Sequence, residues 1–163
     1  MKALYNVLDV SRYAINYSND KGYGISNLKL QKILYFIQAY FLVNTADGKP
    51  CFAEKIEAWD FGPVVPEAYR EYRHYGSSNI PRIESYCEFD IDDIWNIERK
   101  RFDKNVILKM HQIMIDAIID KFANYSATDL VTLTHRQAPW KDAYVPHRNN
   151  EISINSIKEY FSG

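Results

Sequence analysis

Histidine, cysteine and acidic side chains are the groups of this 163-residue chain that could support catalysis or bind a metal. The histidines lie at positions 74, 111, 135 and 147 and form no HExxH or HxH pattern, which leaves a metal site without support. Cys51 and Cys87 form no CxxC pair, so neither a zinc site nor a disulfide framework is expected. The sequence also lacks GxSxG and GxGxxG motifs. We therefore expect no enzyme and no cofactor.

An acidic stretch leaves two alternatives open. Five acidic residues and no basic one fall between Glu84 and Asp93. Such a stretch is typical of a solvated loop or helix start, or of a docking site for a basic partner. An enzymatic alternative combines these acids with His135 in an unrecognised hydrolase or metal site.

Two further segments are rich in aromatic residues and proline. The first, from Glu57 to Tyr69, contains Trp59 and Phe61 followed by two prolines, and the second is Leu-Thr-His-Arg-Gln-Ala-Pro-Trp at 133–140. Each could be a corner of the core, with the tryptophans buried and His135 bonded to a loop carbonyl. Each could equally be a contact surface, because a rigid backbone with aromatic side chains loses little entropy on binding.

A short helix is predicted to follow the first of these segments, because proline suits the first position of a helix. Tyr69, Tyr72 and Arg73 lie on it. Tyrosine and arginine are favoured at the energetic centres of interfaces. We expect these three residues to extend a contact surface outward.

Hydrophobic spacing predicts the elements that must position these residues. Helices are expected over residues 4–17, from Ser26 or Asn27 to about 43, and over 66–75, 104–125, 127–133 and 154–161. The second is apolar nearly all round, which indicates a central position. Ser126 to Asp129 fits a capping box. Short strands at 55–59 and 151–154 could pair, whereas 77–103 gives no clear pattern. The prediction is a mainly α fold, one compact domain over 1–163 with a two- or three-stranded β element.

Composition and charge exclude several classes of protein. The chain is 47% hydrophobic and 15% aromatic, with 13 tyrosines, so it is not disordered. The net charge of −1 provides no basic excess for neutralising phosphates, and no nucleic-acid partner is expected. No apolar run approaches 18 residues and the start has no signal-peptide pattern. We expect no membrane partner and a cytoplasmic location.

Three motifs in this order resemble the Panacea domain, a family also called GepA-like or SocA-like. They are Asn-Leu-Lys-Leu-Gln-Lys-Ile-Leu-Tyr-Phe at 27–36, Glu-Ala-Trp-Asp-Phe-Gly-Pro-Val at 57–64, and Leu-Thr-His with Pro-Trp at 133–140. The resemblance covers about residues 4–161. It makes the following positions candidates for a shared scaffold and partner surface: Trp59, Gly62, Pro63, Val64, His135, Pro139 and Trp140.

The resemblance implies a function as well as a fold. It implies an antitoxin module of bacteria, prophages or phages that neutralises a protein toxin, encoded by an adjacent gene, through direct contact. An alternative that it also implies is an adaptor that delivers the toxin to a ClpXP-type protease. Some members carry an added helix-turn-helix domain, which we do not expect here, and a phage structural or host-modulating role is a further alternative.

Overall fold

The computed structural model describes residues 2–163, which form a mainly helical fold with two small sheets. The helices are α1 Val7–Asp20, α2 Asn27–Asn44, α3 Pro66–Tyr72, α4 Lys109–Lys121, α5 Ala127–His135, α6 Ala138–Ala143 and α7 Ile154–Ser162. The strands are β1 Ile56–Trp59, β2 Gly62–Val64, β3 Ser85–Asp90, β4 Asp93–Arg101 and β5 Glu151–Ile152. The predicted mainly α class is confirmed, and a second, two-stranded sheet accompanies the three-stranded one.

Helix α2 is the centre of the core, as its apolar composition predicted. Its residues Leu30, Tyr35 and Phe41 are fully buried, and α1, α4, α5 and α7 pack around it. The Ser26 side chain accepts a hydrogen bond from the backbone N–H of Lys29, which caps the free amides of the first turn. The predicted capping box at Ser126 also forms, with both reciprocal hydrogen bonds present.

The three-stranded sheet has the order β2-β1-β5, and both pairings are antiparallel. The predicted pairing between the strands near 55–59 and 151–154 is confirmed, with Ile56 opposite Ile152. β1 and β2 form a hairpin in which Trp59 lies opposite Gly62. β2 is therefore an edge strand, and backbone groups on its outer side need partners from elsewhere in the fold.

Two helices begin later than predicted because local contacts hold the preceding residues out of the helix. α1 begins at Val7, since Tyr5 pairs with Phe52 in an isolated bridge. α4 begins at Lys109. The side-chain amide of Gln112 donates to the carbonyls of Lys104 and Ile107, and a separate 3-10 turn forms over 104–106.

The unassigned segment contains the β3–β4 hairpin, which sequence patterning did not predict. Almost every residue of the hairpin is exposed, so neither strand has a buried face that would produce a clear alternation. The acidic stretch lies on this hairpin rather than on a loop or helix start, and it is solvated as expected.

Two findings concern the whole of residues 2–163. No helix in this range has both the length and the apolar character needed to cross a membrane. The cysteines are not bonded to each other: Cys51 is buried and Cys87 is exposed on β3.

Candidate protein-binding site

The β1–β2 hairpin is the centre of the site, and Gly62 determines its shape. Asp60 and Phe61 form the two-residue loop, and Gly62 follows with φ of 105°. A Cβ atom at this position would lie 2.8 Å from Cε of Lys32 and 2.9 Å from Oγ1 of Thr134. Glycine is therefore required both for the backbone conformation and for the close approach of α2 and α5.

Side chains of α2 satisfy the free edge of β2. Pro63 suits an edge strand because it has no N–H, and its carbonyl oxygen accepts a hydrogen bond from Nζ of Lys32 at 3.0 Å. The next free donor, the N–H of Val65, donates to Oε1 of Gln31 at 2.9 Å. Gln31 and Lys32 on α2 thus hold β2 in place through Pro63 and Val65.

A short chain of hydrogen bonds extends this connection to α3. Nε2 of Gln31 donates to Oδ1 of Asn27 at 2.9 Å, and Nδ2 of Asn27 donates to the carbonyl of Tyr69 at 3.1 Å. The chain fixes the amide orientations, since each oxygen accepts and each nitrogen donates. As a result, the helix that carries Tyr69 is fastened to the same face of α2 as the hairpin.

Lys32 is an unusual residue at the centre of a core, because its side chain is 0% exposed. Burial penalises the charged ammonium and lowers the pKa of Lys32 to about 7. No ion pair within residues 2–163 involves this lysine. Its role in the resting fold is therefore that of a hydrogen-bond donor to Pro63.

Helices α5 and α6 hold the other side of the hairpin through three stacked rings. The ring centroids of His135 and Trp140 are 4.0 Å apart, and those of Trp140 and Tyr144 are 4.4 Å apart. Nε1 of Trp140 donates to the carbonyl of Trp59 at 2.8 Å. Because a carbonyl can only accept, the 2.9 Å contact between His135 and the carbonyl of Asp60 requires a proton on Nε2.

The hydroxyl of Tyr144 completes this arrangement by donating to Oδ1 of Asp60. The hydroxyl of Thr134 donates to the carbonyl of Leu130, which leaves its oxygen facing Gly62. Backbone and side-chain contacts from α5 and α6 therefore fix the Asp60 loop. The loop presents Phe61 to solvent, with 66% of that side chain exposed.

We expect Trp140→Phe to destabilise the fold by about 1–2 kcal/mol, because the stacked ring remains while the carbonyl of Trp59 loses its indole donor. Urea unfolding monitored by circular dichroism measures the loss. Trp95→Phe is the matched control, since Trp95 is exposed on β4, and its effect should stay within about 0.5 kcal/mol. Equal losses in both variants would contradict a structural role for the indole hydrogen bond.

An open groove of about 460 Å³ lies beside the hairpin. Trp59, Phe61 and Tyr69 line it, together with Arg73 and Arg148. The rings of Trp59 and Tyr69 meet edge to face at 5.0 Å, and Nε1 of Trp59 donates to Oε1 of Glu57 at 2.9 Å. Both aromatic side chains are thus oriented before any partner arrives.

The structure divides the predicted site residues into three groups. Trp59, Tyr69 and Arg73 line the groove, as does part of Val64. Half-buried His135 and Trp140 support the hairpin from behind, whereas Gly62, Pro63, Val64 and Pro139 are buried. The expectation that Tyr72 points outward is wrong: it is 5% exposed and belongs to the core, because it lies on the inner face of α3 with Ala68.

Sequence reasoning missed several residues that build the site. Asn27, Gln31 and Lys32 were part of a recognised motif but were interpreted only as a core helix. The sequence did contain a signal: these polar side chains lie in a helix that is otherwise apolar all round, and buried polar groups need hydrogen-bond partners. Asp60 and Tyr144 gave no local signal, because the chain brings them together from positions 84 residues apart.

The arrangement offers contact surface rather than a visible catalytic constellation. Within residues 2–163, no group of three or more His, Cys, Asp or Glu side chains is placed to hold a metal ion. His135 is bonded to Asp60 and stacked on Trp140, and none of the hydrogen bonds in that range joins it to the acidic stretch.

Comparison with known proteins identifies a family for this chain, and the β1–β2 hairpin lies within the matched residues. The family model described as "Antitoxin SocA-like, Panacea domain" matches residues 30–141, which is more than half of the chain. The chain belongs to the SocA-like Panacea domain family. The matched range includes Gln31, Lys32, the β1–β2 hairpin and the stacked residues His135 and Trp140, which hold this hairpin in place.

A curated relative supports the membership. This Panacea-domain chain is 31% identical over 128 residues to the antitoxin SocA of Caulobacter vibrioides (strain NA1000 / CB15N), an alignment that covers 71% of the chain. The alignment spans 58% of the length of that relative. No solved structure matches the chain.

Proposed function

We propose that this Panacea domain is a non-enzymatic, cytoplasmic antitoxin that neutralises a protein toxin by direct contact. The observation that carries the proposal is membership of the SocA-like antitoxin family. The geometry of the groove is compatible with a contact surface, because Trp59, Phe61 and Tyr69 line it on a hairpin that is fixed from both sides. Neutralisation then consists of covering the toxin's active surface or holding the toxin in an inactive state.

Preorganisation is the physical advantage of such a surface. Binding costs free energy for every side chain and loop that must be ordered at the interface. Here the loop that presents Phe61 is already held by His135, Tyr144 and Trp140. Ordering the antitoxin on binding therefore costs little free energy. An exposed aromatic side chain such as Phe61 can then contribute strongly to affinity.

The groove also carries positively charged side chains that can recognise a partner. Arg73 and Arg148 line it, and neither forms an ion pair within residues 2–163. Arginine donates in a planar fork that suits carboxylates and backbone carbonyls. We expect the toxin surface opposite the groove to offer such acceptors around an apolar pocket for Phe61.

Co-expression with the product of the adjacent gene tests the proposal. We expect that product to arrest growth on its own and the intact Panacea chain to restore growth. Phe61→Ala and Tyr69→Ala should each weaken binding of the purified toxin by about tenfold or more, with little change in melting temperature. Tyr160→Ala removes an exposed aromatic ring on α7 outside the groove and should leave binding unchanged.

Three outcomes would contradict the proposal in different ways. A neighbour that is harmless alone, or that stays toxic beside the intact chain, would exclude an antitoxin for that partner. Unchanged affinity in both groove variants would remove the groove from the interface. A fall in toxin level that is reversed by deleting a ClpXP-type protease would replace direct neutralisation by the adaptor function.

A further inference from the structure

The β3–β4 hairpin is held firmly at its base. Nδ2 of Asn16 donates to the carbonyl of Ile83 at 2.8 Å, and the N–H of Ile83 donates to Oδ1 of Asn16 at 2.7 Å. The guanidinium of Arg12 lies 3.4 Å from the ring centre of Tyr86, within the range of a cation–π contact. Helix α1 therefore fixes where the hairpin starts and the direction in which it leaves the core.

The far end of the hairpin is apolar and uncovered. Ile91 is 92% exposed and Trp95 is 88% exposed. Phe89 lies opposite Ile97, and the next pair is Asp90 with Asp93, so Ile94, Trp95 and Asn96 form a bulge without counterparts on β3. Bulges redirect side chains out of the regular ladder, and this one lies where the exposed apolar side chains are concentrated.

The same tip is strongly acidic. Residues 88–98 contain five carboxylates and no lysine or arginine: Glu88, Asp90, Asp92, Asp93 and Glu98. Lys100, nearer the base, pairs with Glu88. A tip that carries both carboxylates and exposed apolar side chains is complementary to an apolar cleft with basic residues at its rim.

These properties favour a different protein over a second copy of this chain as the occupant. Two copies joined tip to tip around a twofold axis would bring their carboxylates together, and like charges in direct opposition are destabilising. Exposed apolar patches on soluble proteins mark interaction sites. The exposed apolar side chains and the negative charge of the tip therefore favour a basic protein as its partner.

We propose that the β3–β4 hairpin is a second contact arm, which inserts Ile91 and Trp95 into an apolar cleft of the toxin that is rimmed by lysine or arginine. This inference rests on the proposed antitoxin function. The groove and the arm would then make separate contacts with one partner. Because the groove lies beside the β1–β2 hairpin and the arm is the separate β3–β4 hairpin, they can be varied independently.

Calorimetric titration of the full chain into the purified product of the adjacent gene tests the arm. We expect the double variant I91S/W95A to weaken binding by about tenfold or more, since exposed tryptophans at interfaces are frequent hot spots. The matched control M110A/I113S removes two exposed apolar side chains from α4 and should bind within about twofold of the unaltered chain. Neither variant should lower the melting temperature appreciably, because none of the four side chains is buried.

A charge variant tests the basic rim. The Asp92 carboxylate has no hydrogen bond or ion pair within residues 2–163, so Asp92→Lys changes charge without removing a side-chain contact there. It should slow association severalfold at low salt and less at high salt, because charges near an interface act mainly on encounter. Asp142→Lys, an equal change of charge on α6, should leave association unchanged.

The outcomes separate the arm from the function on which it rests. If the unaltered chain binds the toxin and I91S/W95A binds equally well, the arm is excluded while the antitoxin function stands. If the α4 control loses as much affinity, the contact lies on α4 and the arm is also excluded. If the unaltered chain does not bind the toxin, both proposals are excluded for that partner.

Discussion

Gly62→Ala is expected to destabilise the fold by about 3–5 kcal/mol, the sum of backbone strain and steric overlap. The φ of 105° lies in a region that L side chains rarely adopt. The new Cβ would lie 2.8 Å from Cε of Lys32, which is buried, and 2.9 Å from Oγ1 of Thr134, which is hydrogen-bonded to Leu130. Displacement of the Lys32 side chain would disturb its hydrogen bond to Pro63, and rotation of the Thr134 hydroxyl would disturb its hydrogen bond to Leu130.

Gly22 supplies a matched control for this substitution. It also has a positive φ, 72°, but no atom lies within 4 Å of the position that a Cβ would take. Gly22→Ala should therefore cost only the left-handed backbone penalty of about 1–2 kcal/mol. Chemical denaturation of both variants measures the difference, which combines the steric overlap at Gly62 with the greater backbone strain at its φ of 105°. Equal losses in the two variants would mean that α2 and α5 do not pack tightly against Gly62.

Three elements of the fold show what could be predicted from the sequence: α2, the start of α5 and the β1–β5 pair. Periodicity located α2 and its central position because burial on all sides leaves an apolar composition that is visible locally. Ser126 was predicted to begin a helix because a capping box is a contact between residues three apart. The β1–β5 pair was predicted correctly because two short strand patterns remained and each needed a partner.

Long-range polar contacts could not be predicted in the same way. Nothing near Gln31 or Lys32 in the sequence indicates that their acceptor and donor will be backbone groups of an edge strand 31 to 34 residues away. The β3–β4 hairpin was missed for a related reason: it lacks a buried face, so its strands carry no period of two. Tyr72 was assigned to the surface because residue type alone does not distinguish an interface tyrosine from a core tyrosine.

The buried lysine leads to a second large effect, on the pH dependence of stability. In the unfolded chain Lys32 titrates near its ordinary pKa of 10.5, whereas burial lowers the value in the folded state to about 7. Between these values the unfolded chain binds the additional proton, so the free energy of unfolding rises with pH. From about pH 7 to about pH 9 the contribution of Lys32 amounts to about 2 kcal/mol.

Comparison with Lys32→Met isolates this contribution. The unaltered chain should gain about 2 kcal/mol of stability relative to Lys32→Met over that interval, although the variant also leaves the carbonyl of Pro63 without its donor. That loss is the same at every pH, and the contributions of the buried tyrosines are common to both chains, so the slope of the difference reports the lysine. Lys141→Met, which removes an exposed ammonium on α6, should give a difference that does not change with pH.

The slope also distinguishes two explanations for a lysine at this position. If α2 required a positive charge here, the ammonium would remain protonated in the fold and the difference between the unaltered chain and Lys32→Met would be independent of pH. If it requires a long donor that reaches the edge of β2, the neutral amine suffices, and the difference must rise as the solution becomes more alkaline. The single contact at 3.0 Å with Pro63, and the lack of any ion pair to Lys32 within residues 2–163, favour the second explanation. Acidification from about pH 9 to about pH 7 should then loosen the hairpin that carries the groove, because opening lets Lys32 take up a proton in water.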